Sequence, residues 1–307
     1  MLDLIEAPNN LGLRPLTPGV EPGTWRAPAA LDHAGLSRQL HPDRHLRLPR
    51  PEYSPKPQPG TRLRNGPALR DFNLRLSAEV EQSLRRGAVP VVVGGDCSIL
   101  LGCLHALRKT GGRGMVHLDG HSDFAHPGNF APHLNLWSAA GMALALATGR
   151  GESLLTEWPG VEGPLLADAD AVHLGERESL DADYTFQDIE QTAIEQITVH
   201  AFQKEGVAQI ADRILRRLID RKLDRAWLHV DLDILDQKVM PAVDSPGSPG
   251  LTYAELTTLL RTLLASRRIA GLNIAIYDPD LDPHGTHASN IVACVASGLE
   301  VLHGAAR

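Results

Sequence analysis

The chain predicts an α/β fold in which a mostly parallel sheet is covered by helices on both faces. Two observations predict it. From residue 70 onward, short uninterrupted apolar runs alternate with helix-like segments, the pattern of parallel strands buried on both sides. Three polar segments, each carrying acidic residues, directly follow such runs, and in sheets of this kind ligands gather beyond the carboxyl ends of the strands.

Taken in order, residues 2–6 read as a first strand. Residues 8–28, rich in Pro and Gly, read as a structured loop, followed by a short helix over 29–34 that Gly35 stops. A second strand is expected over 45–48, and 52–66 reads as a Pro/Gly/Arg-rich surface loop. Leu74, Leu76, Val80 and Leu84 mark a helix over 73–86. Strand 89–93, helix 99–108, strand 115–118, helix 136–147 and strand 171–174 follow. Helix 208–221, strand 226–230, helix 253–265, strand 270–277 and helix 288–302 close the series. There is no internal repeat, low-complexity tract or clear linker, so a single domain over 1–307 is expected.

Composition narrows the function. Aromatics make up only 4% of the 307 residues, so the core must rest on Leu, Val, Ile and Ala. A net charge of -7, with no basic block beyond pairs such as Arg85-Arg86 and Arg216-Arg217, speaks against nucleic acid as a partner. Cys97, Cys103 and Cys294 are too few for a disulfide framework in a chain this long. The opening MLDLIEAPNN has no extended apolar stretch, so no signal peptide is expected, and no window reaches the roughly 18 apolar residues of a membrane span. A cytoplasmic protein with a small-molecule partner is the expectation.

The chemistry is concentrated in Asp119-Gly120-His121-Ser122-Asp123 and Asp231-Leu232-Asp233. Side chains two apart on a strand share a face, so Asp119 with His121, and Asp231 with Asp233, can aim at common points. Burying four carboxylates and an imidazole together is prohibitive unless cations neutralise them, which points to a metal site. Gly94-Gly95-Asp96-Cys97-Ser98 follows the apolar run 91–93 and joins the same edge. Asp96 and Asp236 read as turn formers that orient loops. His117 and His229 are placed one residue off the ligand faces, as core histidines or supports behind the ligands.

In order and approximate spacing, GGDCS at 94–98, HLDGHSDF at 117–124 and HVDLDILDQKVMPAVDSPGSPGLT at 229–252 resemble the ureohydrolase family of arginases and agmatinases. The resemblance runs from GVEPGTWRAPAAL at 19–31 to YDPDLDP at 277–283. It implies a three-layer α/β/α domain with a mostly parallel central sheet and two manganese ions, zinc or iron being the lesser alternatives. A hydroxide bridging the metals would attack a guanidino-type carbon. By motif position, Asp119 and Asp231 would bridge both metals, Asp123 and Cys97 would complete the first, and His121 and Asp233 the second. The family often assembles as trimers or hexamers; a chain ending soon after its last helix leaves monomer or dimer open.

Three positions depart from the family pattern. Cys97 stands where these enzymes usually carry histidine, and a thiolate there adds a negative charge and softens the site toward zinc or iron. Ala140 matches the position of the family's proton-shuttle histidine; His126 and His133 lie in the same loop and are the possible substitutes. Ile276 stands where a glutamate pairs with the substrate guanidinium, a contact that holds the cation. Together these favour a guanidine less basic than arginine, such as N-hydroxyarginine, as in a variant branch of the family with cysteine in its first motif. Asp183, with Asp181 as fallback, matches the acid that contacts the substrate's amino group. Two other readings stay open: a zinc-type amide deacetylase of the same fold, and a catalytically silent relative kept as an interaction subunit.

Overall fold

The computed structural model describes residues 1–129, 136–178 and 187–303. Its elements are β1 Leu2–Glu6, α1 Ala27–His33, α2 Leu36–Leu40, β2 Arg44–Arg47, α3 Gly66–Arg85, β3 Val89–Val93, α4 Ile99–Lys109 and β4 Met115–Leu118. Then come α5 Ala143–Ala147, α6 Ser153–Thr156, β5 Ala171–Leu174, β6 Glu195–Ile197, α7 Val199–Glu205 and α8 Val207–Asp220. β7 Ala226–Asp231, α9 Tyr253–Ala265, β8 Ile269–Ala275 and α10 Thr286–Leu299 complete the fold.

The strands form one sheet in the order β2-β1-β3-β8-β7-β4-β5-β6, and every adjacent pair is parallel. Parallel neighbours need helical crossovers, and these cover the sheet in a three-layer α/β/α architecture. The strand interiors are almost wholly buried Val, Leu, Ile and Ala, as a sheet covered on both faces requires. The strand order sets β3 beside β8 and β4 beside β7, pairs remote in the chain, so the carboxyl ends of these four strands open onto one edge.

Several boundaries differ from the sequence expectation for identifiable reasons. α3 starts at Gly66, not near residue 73, because Pro67 occupies its first turn, where a missing N–H costs nothing. The helix expected from 136 begins only with a 3-10 turn at Ala140–Met142. Trp137 is instead held extended: its N–H donates to Arg62 O at 2.7 Å and its carbonyl accepts from Arg64 N at 2.9 Å. β8 stops at Ala275 because Ile276 takes a positive φ of 74°. Short α2, α6, β6 and α7 carried no apolar run to announce them, though Thr198 caps α7 by accepting from Ala201 N at 3.2 Å. No helix among the described residues is long and apolar enough to cross a membrane.

Candidate metal centre

The register of the sheet aligns the acidic segments. Leu118 pairs with Val230, Val230 with Ile274, and Ile274 with Val93. One step further along, Asp119, Asp231, Ala275 and Gly94 form the next row, and the loops beyond it carry the remaining candidate ligands. Gly94 and Gly95 have φ of 124° and 68°, and a Cβ on Gly95 would press on the carbonyls of Ala7 and Asn9, so only glycine lets this loop pack so closely. Asp96 accepts from Gly12 N and Ser98 N, both at 2.9 Å, and Asp236 accepts from Lys238 N at 2.9 Å and Ser248 Oγ at 2.8 Å. Both are turn formers.

The structure brings Cys97, Asp119, His121, Asp123, Asp231 and Asp233 to this edge, all but His121 buried. Cys97 Sγ donates to Asp231 Oδ2 at 2.7 Å. Asp231 Oδ1 accepts from Asp233 N at 2.7 Å, and Asp119 Oδ1 accepts from His121 N at 2.7 Å. Asp233 Oδ1 accepts from Gly120 N at 2.9 Å, while its Oδ2 lies 2.8 Å from His121 Nδ1. Asp123, in a left-handed turn with φ of 49°, joins through a loop that its carbonyl ties to Leu144 N and Ala145 N.

Candidate ligand atoms fall into groups whose members lie within 4.8 Å of one another: Cys97, Asp119, His229 and Asp231; His117, Asp119 and Asp123; and Asp119, His121 and Asp233. Asp119 belongs to all three, the behaviour of a shared ligand. Asp119 Oδ2 and Asp123 Oδ2 are buried acceptors without a hydrogen-bond partner, a costly state that bound cations would remove. Hard carboxylate oxygens with one imidazole and one sulfur suit divalent transition ions, so the residues fit a metal pair.

Electrostatics describe the same strain. Burial, then the neighbouring carboxylates, push Asp119 and Asp231 well above the usual carboxylate range; burial does the same to Asp123 in spite of the nearby His121 charge. Burial pushes the Cys97 thiol up, reinforced by Asp231, Asp123 and Asp119. The charge of Asp233 raises His121 to about 10. Burial works against Asp233 itself, but the His121 charge and hydrogen bond, with Arg177, outweigh it and leave this carboxyl lowered.

His117 and His229 correct the sequence reading. They precede Asp119 and Asp231 by two residues, not one, so they share the ligand face. Counting the two-residue period through the strand would have found them. His173, His117, His229 and Asn273 lie in register across β5, β4, β7 and β8. His117 Nδ1 lies 2.9 Å from His173 Nδ1, and the His117 and His229 rings stack at 4.7 Å. Burial holds His117 well below the ordinary histidine range, His173 at about 3 and His229 at about 4. This is a floor of neutral imidazoles beneath the carboxylates.

The other candidates fare differently. Both ring nitrogens of His126 are engaged: Nδ1 accepts from Gly128 N at 3.0 Å and Nε2 lies 2.7 Å from Asp188 Oδ2. His133, Asp181 and Asp183 lie outside the described residues. Ala140 is buried and donates its N–H to Gly12 O at 3.2 Å. Ile276 is buried beside the Cys97 loop, its N–H donating to Gly95 O at 2.8 Å. Arg177, which sequence gave no role, is buried between Gly120 and Gly247 and donates from Nη2 to the Asp233 carbonyl. Glu178 Oε1 lies 3.6 Å from His121 Nε2.

Comparison with known proteins places this geometry. A sequence model of the arginase family matches residues 19–299. The arginase of Bacillus caldovelox is 32% identical over 241 residues, covering 78% of each chain. The arginase of Staphylococcus aureus (strain COL) is 28% identical over 304 residues, covering 96% of each. The native structure of the Bacillus caldovelox arginase superposes with a TM-score of 0.83 at 29% identity, covering 96% of this chain and 97% of that one. With its parallel sheet, its row of strand-end carboxylates and this match along most of its length, the chain belongs to the arginase family.

Proposed function

We propose that this chain is a binuclear manganese-dependent hydrolase that cleaves a carbon–nitrogen bond at a guanidino-type carbon, acting as one catalytic domain over residues 1–307. Asp119 and Asp231 would bridge the metals, with Cys97 and Asp123 on one side and His121 and Asp233 on the other. When bound, the metal pair supplies Lewis acidity and an activated water at neutral pH. The chain's own residues do the rest. Arg177 fixes the Asp233 backbone, and the carboxylates offset the cations. Asp119, shared by the group that holds Cys97 and Asp231 and the group that holds His121 and Asp233, supports two metals, not the single zinc of a deacetylase. The three free, buried cysteines fit a reducing cytoplasm.

The observation that carries the substrate choice is Ile276. An apolar side chain, 4% exposed, closes the end of β8 where a carboxylate would pair with a guanidinium. Holding a full cation against it is unfavourable, whereas an N-hydroxyguanidine is less basic and loses less. The reading therefore favours N-hydroxyarginine or a similarly weak base over arginine. Steady-state turnover of both by manganese-loaded protein tests it: kcat/KM should be higher for N-hydroxyarginine, and faster arginine hydrolysis refutes the assignment. Ile276→Glu should move the preference toward arginine by roughly tenfold to a hundredfold, the worth of one charge-assisted hydrogen bond.

A further inference from the structure

The histidine floor contains a donor whose direction is set by its neighbours. An indole N–H can only donate, so Trp227 Nε1, 2.8 Å from Asn273, is bonded to the amide oxygen Oδ1. That pins the Asn273 amide, and its Nδ2 therefore donates to His229 Nδ1 at 2.8 Å. A neutral imidazole carries one proton, and with Nδ1 accepting it must sit on Nε2. His229 Nε2 is buried and has no hydrogen-bond partner. A ring nitrogen of His229 nevertheless lies within 4.8 Å of ligand atoms of Cys97, Asp119 and Asp231.

We propose that His229 is a positioning residue whose Nε2–H donates to the Cys97 thiolate once that sulfur binds metal. The inference rests on the ligand set proposed above. Without metal, Cys97 is the donor in its bond to Asp231. Metal binding sends the thiol proton to solvent and ends that bond, leaving sulfur and Asp231 as adjacent anions. The thiolate then needs a donor, and His229 holds the unspent N–H nearby. Its tautomer also excludes His229 as a metal ligand, because Nε2 has no free lone pair while Trp227 and Asn273 hold their orientation. The donor offsets the extra negative charge that cysteine brings to a position where a neutral histidine would bring none.

Cobalt-substituted protein tests this through the near-ultraviolet sulfur-to-cobalt charge-transfer band. Hydrogen bonding lowers the energy of the sulfur lone pairs, so losing it moves the band to longer wavelength. His229→Phe, which keeps a ring to stack on His117, should shift the band to longer wavelength with cobalt content per chain unchanged. His229→Gln, which keeps a side-chain N–H, should bring it back toward the original position. Trp227→Phe releases the Asn273 pin without touching the site and should place the band in between, which keeps the test alive if His229→Phe does not fold. A band that stays put in the His229→Phe and Trp227→Phe variants overturns the proposal, as does loss of a cobalt from His229→Phe, which would make His229 a ligand. If the unaltered protein shows no sulfur band, Cys97 ligation itself fails, a result distinct from a band that the variants leave unmoved.

Discussion

At the scale of single residues, the centre differs from a plain carboxylate–histidine site at Cys97 and Ile276. As a thiolate ligand, Cys97 would make the proposed set one negative charge richer than two divalent ions can balance, and sulfur favours softer metals. Cys97→His should therefore raise the preference for manganese over zinc by roughly an order of magnitude, following that softness ordering. Competition titration read by metal content checks it, and an unchanged ratio would place Cys97 outside the ligand set. Ile276 carries a different signature, since a β-branched residue at φ of 74° is rare and strained. The strain persists because its N–H is tied to Gly95 O, locking an apolar side chain where the family pattern has charge. Arg177 shows how closely such positions are fitted. A Cβ on Gly120 would overlap Arg177 Nη2, so Gly120→Ala must displace the guanidinium from the Asp233 carbonyl. The expected cost is about 1–3 kcal/mol of stability, the usual penalty for overpacking, with weakened metal binding; denaturant unfolding and metal titration measure the two.

At the scale of elements, the site is the product of strand ends in register, and that explains what sequence could reveal. The two-residue spacings in Asp119/His121 and Asp231/Asp233 were legible because they survive any choice of partner strands. The adjacency of β3, β8, β7 and β4 was not, because it depends on crossovers between segments remote in the chain. β1, β3, β4 and β5 kept their sequence-derived bounds, since each is a short stretch dominated by Val, Leu, Ile or Met and followed by turn-forming or polar residues. β6 escaped because Glu195-Gln196-Ile197 is a three-residue edge strand with one apolar member, and α3 was shortened because Pro67 read as loop. His117 and His229 were mis-phased by one residue, so the histidine row went unseen. That row has a measurable consequence. His173 stays neutral in the fold, held at about 3, while the unfolded chain protonates it below about pH 6.5. A base lowered on folding gives stability that is lost as pH falls from the unfolded value toward the folded one. Relative to His173→Phe, the metal-free protein should thus lose up to about 1.4 kcal/mol per pH unit between pH 6.5 and 4. Chemical denaturation of both proteins across that range tests it, and parallel curves would show that His173 is protonated in the fold.

At the scale of the whole molecule, the sheet concentrates four buried carboxylates, a thiol and an imidazole at one edge, so the fold carries an electrostatic load that only cations relieve. Without metal, protons are the available relief. Asp119, Asp123 and Asp231 are raised on folding, Cys97 is raised, and His121 is raised to about 10. In the unfolded chain the carboxyls and histidines have already lost their protons by pH 7, and the thiol loses its own near pH 8.5. Between pH 7 and 10 folded His121 therefore keeps a proton that the unfolded chain has released, and stability falls as pH rises. Asp233, lowered on folding, acts only in acid and leaves this window untouched. Chelator-treated protein should lose stability steadily from pH 7 to 10, by at most about 1.4 kcal/mol per pH unit for the proton that His121 retains, and its melting temperature should fall in step. Manganese should reverse the trend, because ligands must shed protons to bind and binding tightens as pH rises. At a hundred times its dissociation constant, the ion would add about 2.7 kcal/mol through mass action alone. Thermal melts of metal-free and manganese-loaded protein over the same pH series should diverge as pH climbs. If the two curves run parallel, the carboxylates are relieved by something other than metal, and the edge of the sheet is not a metal centre.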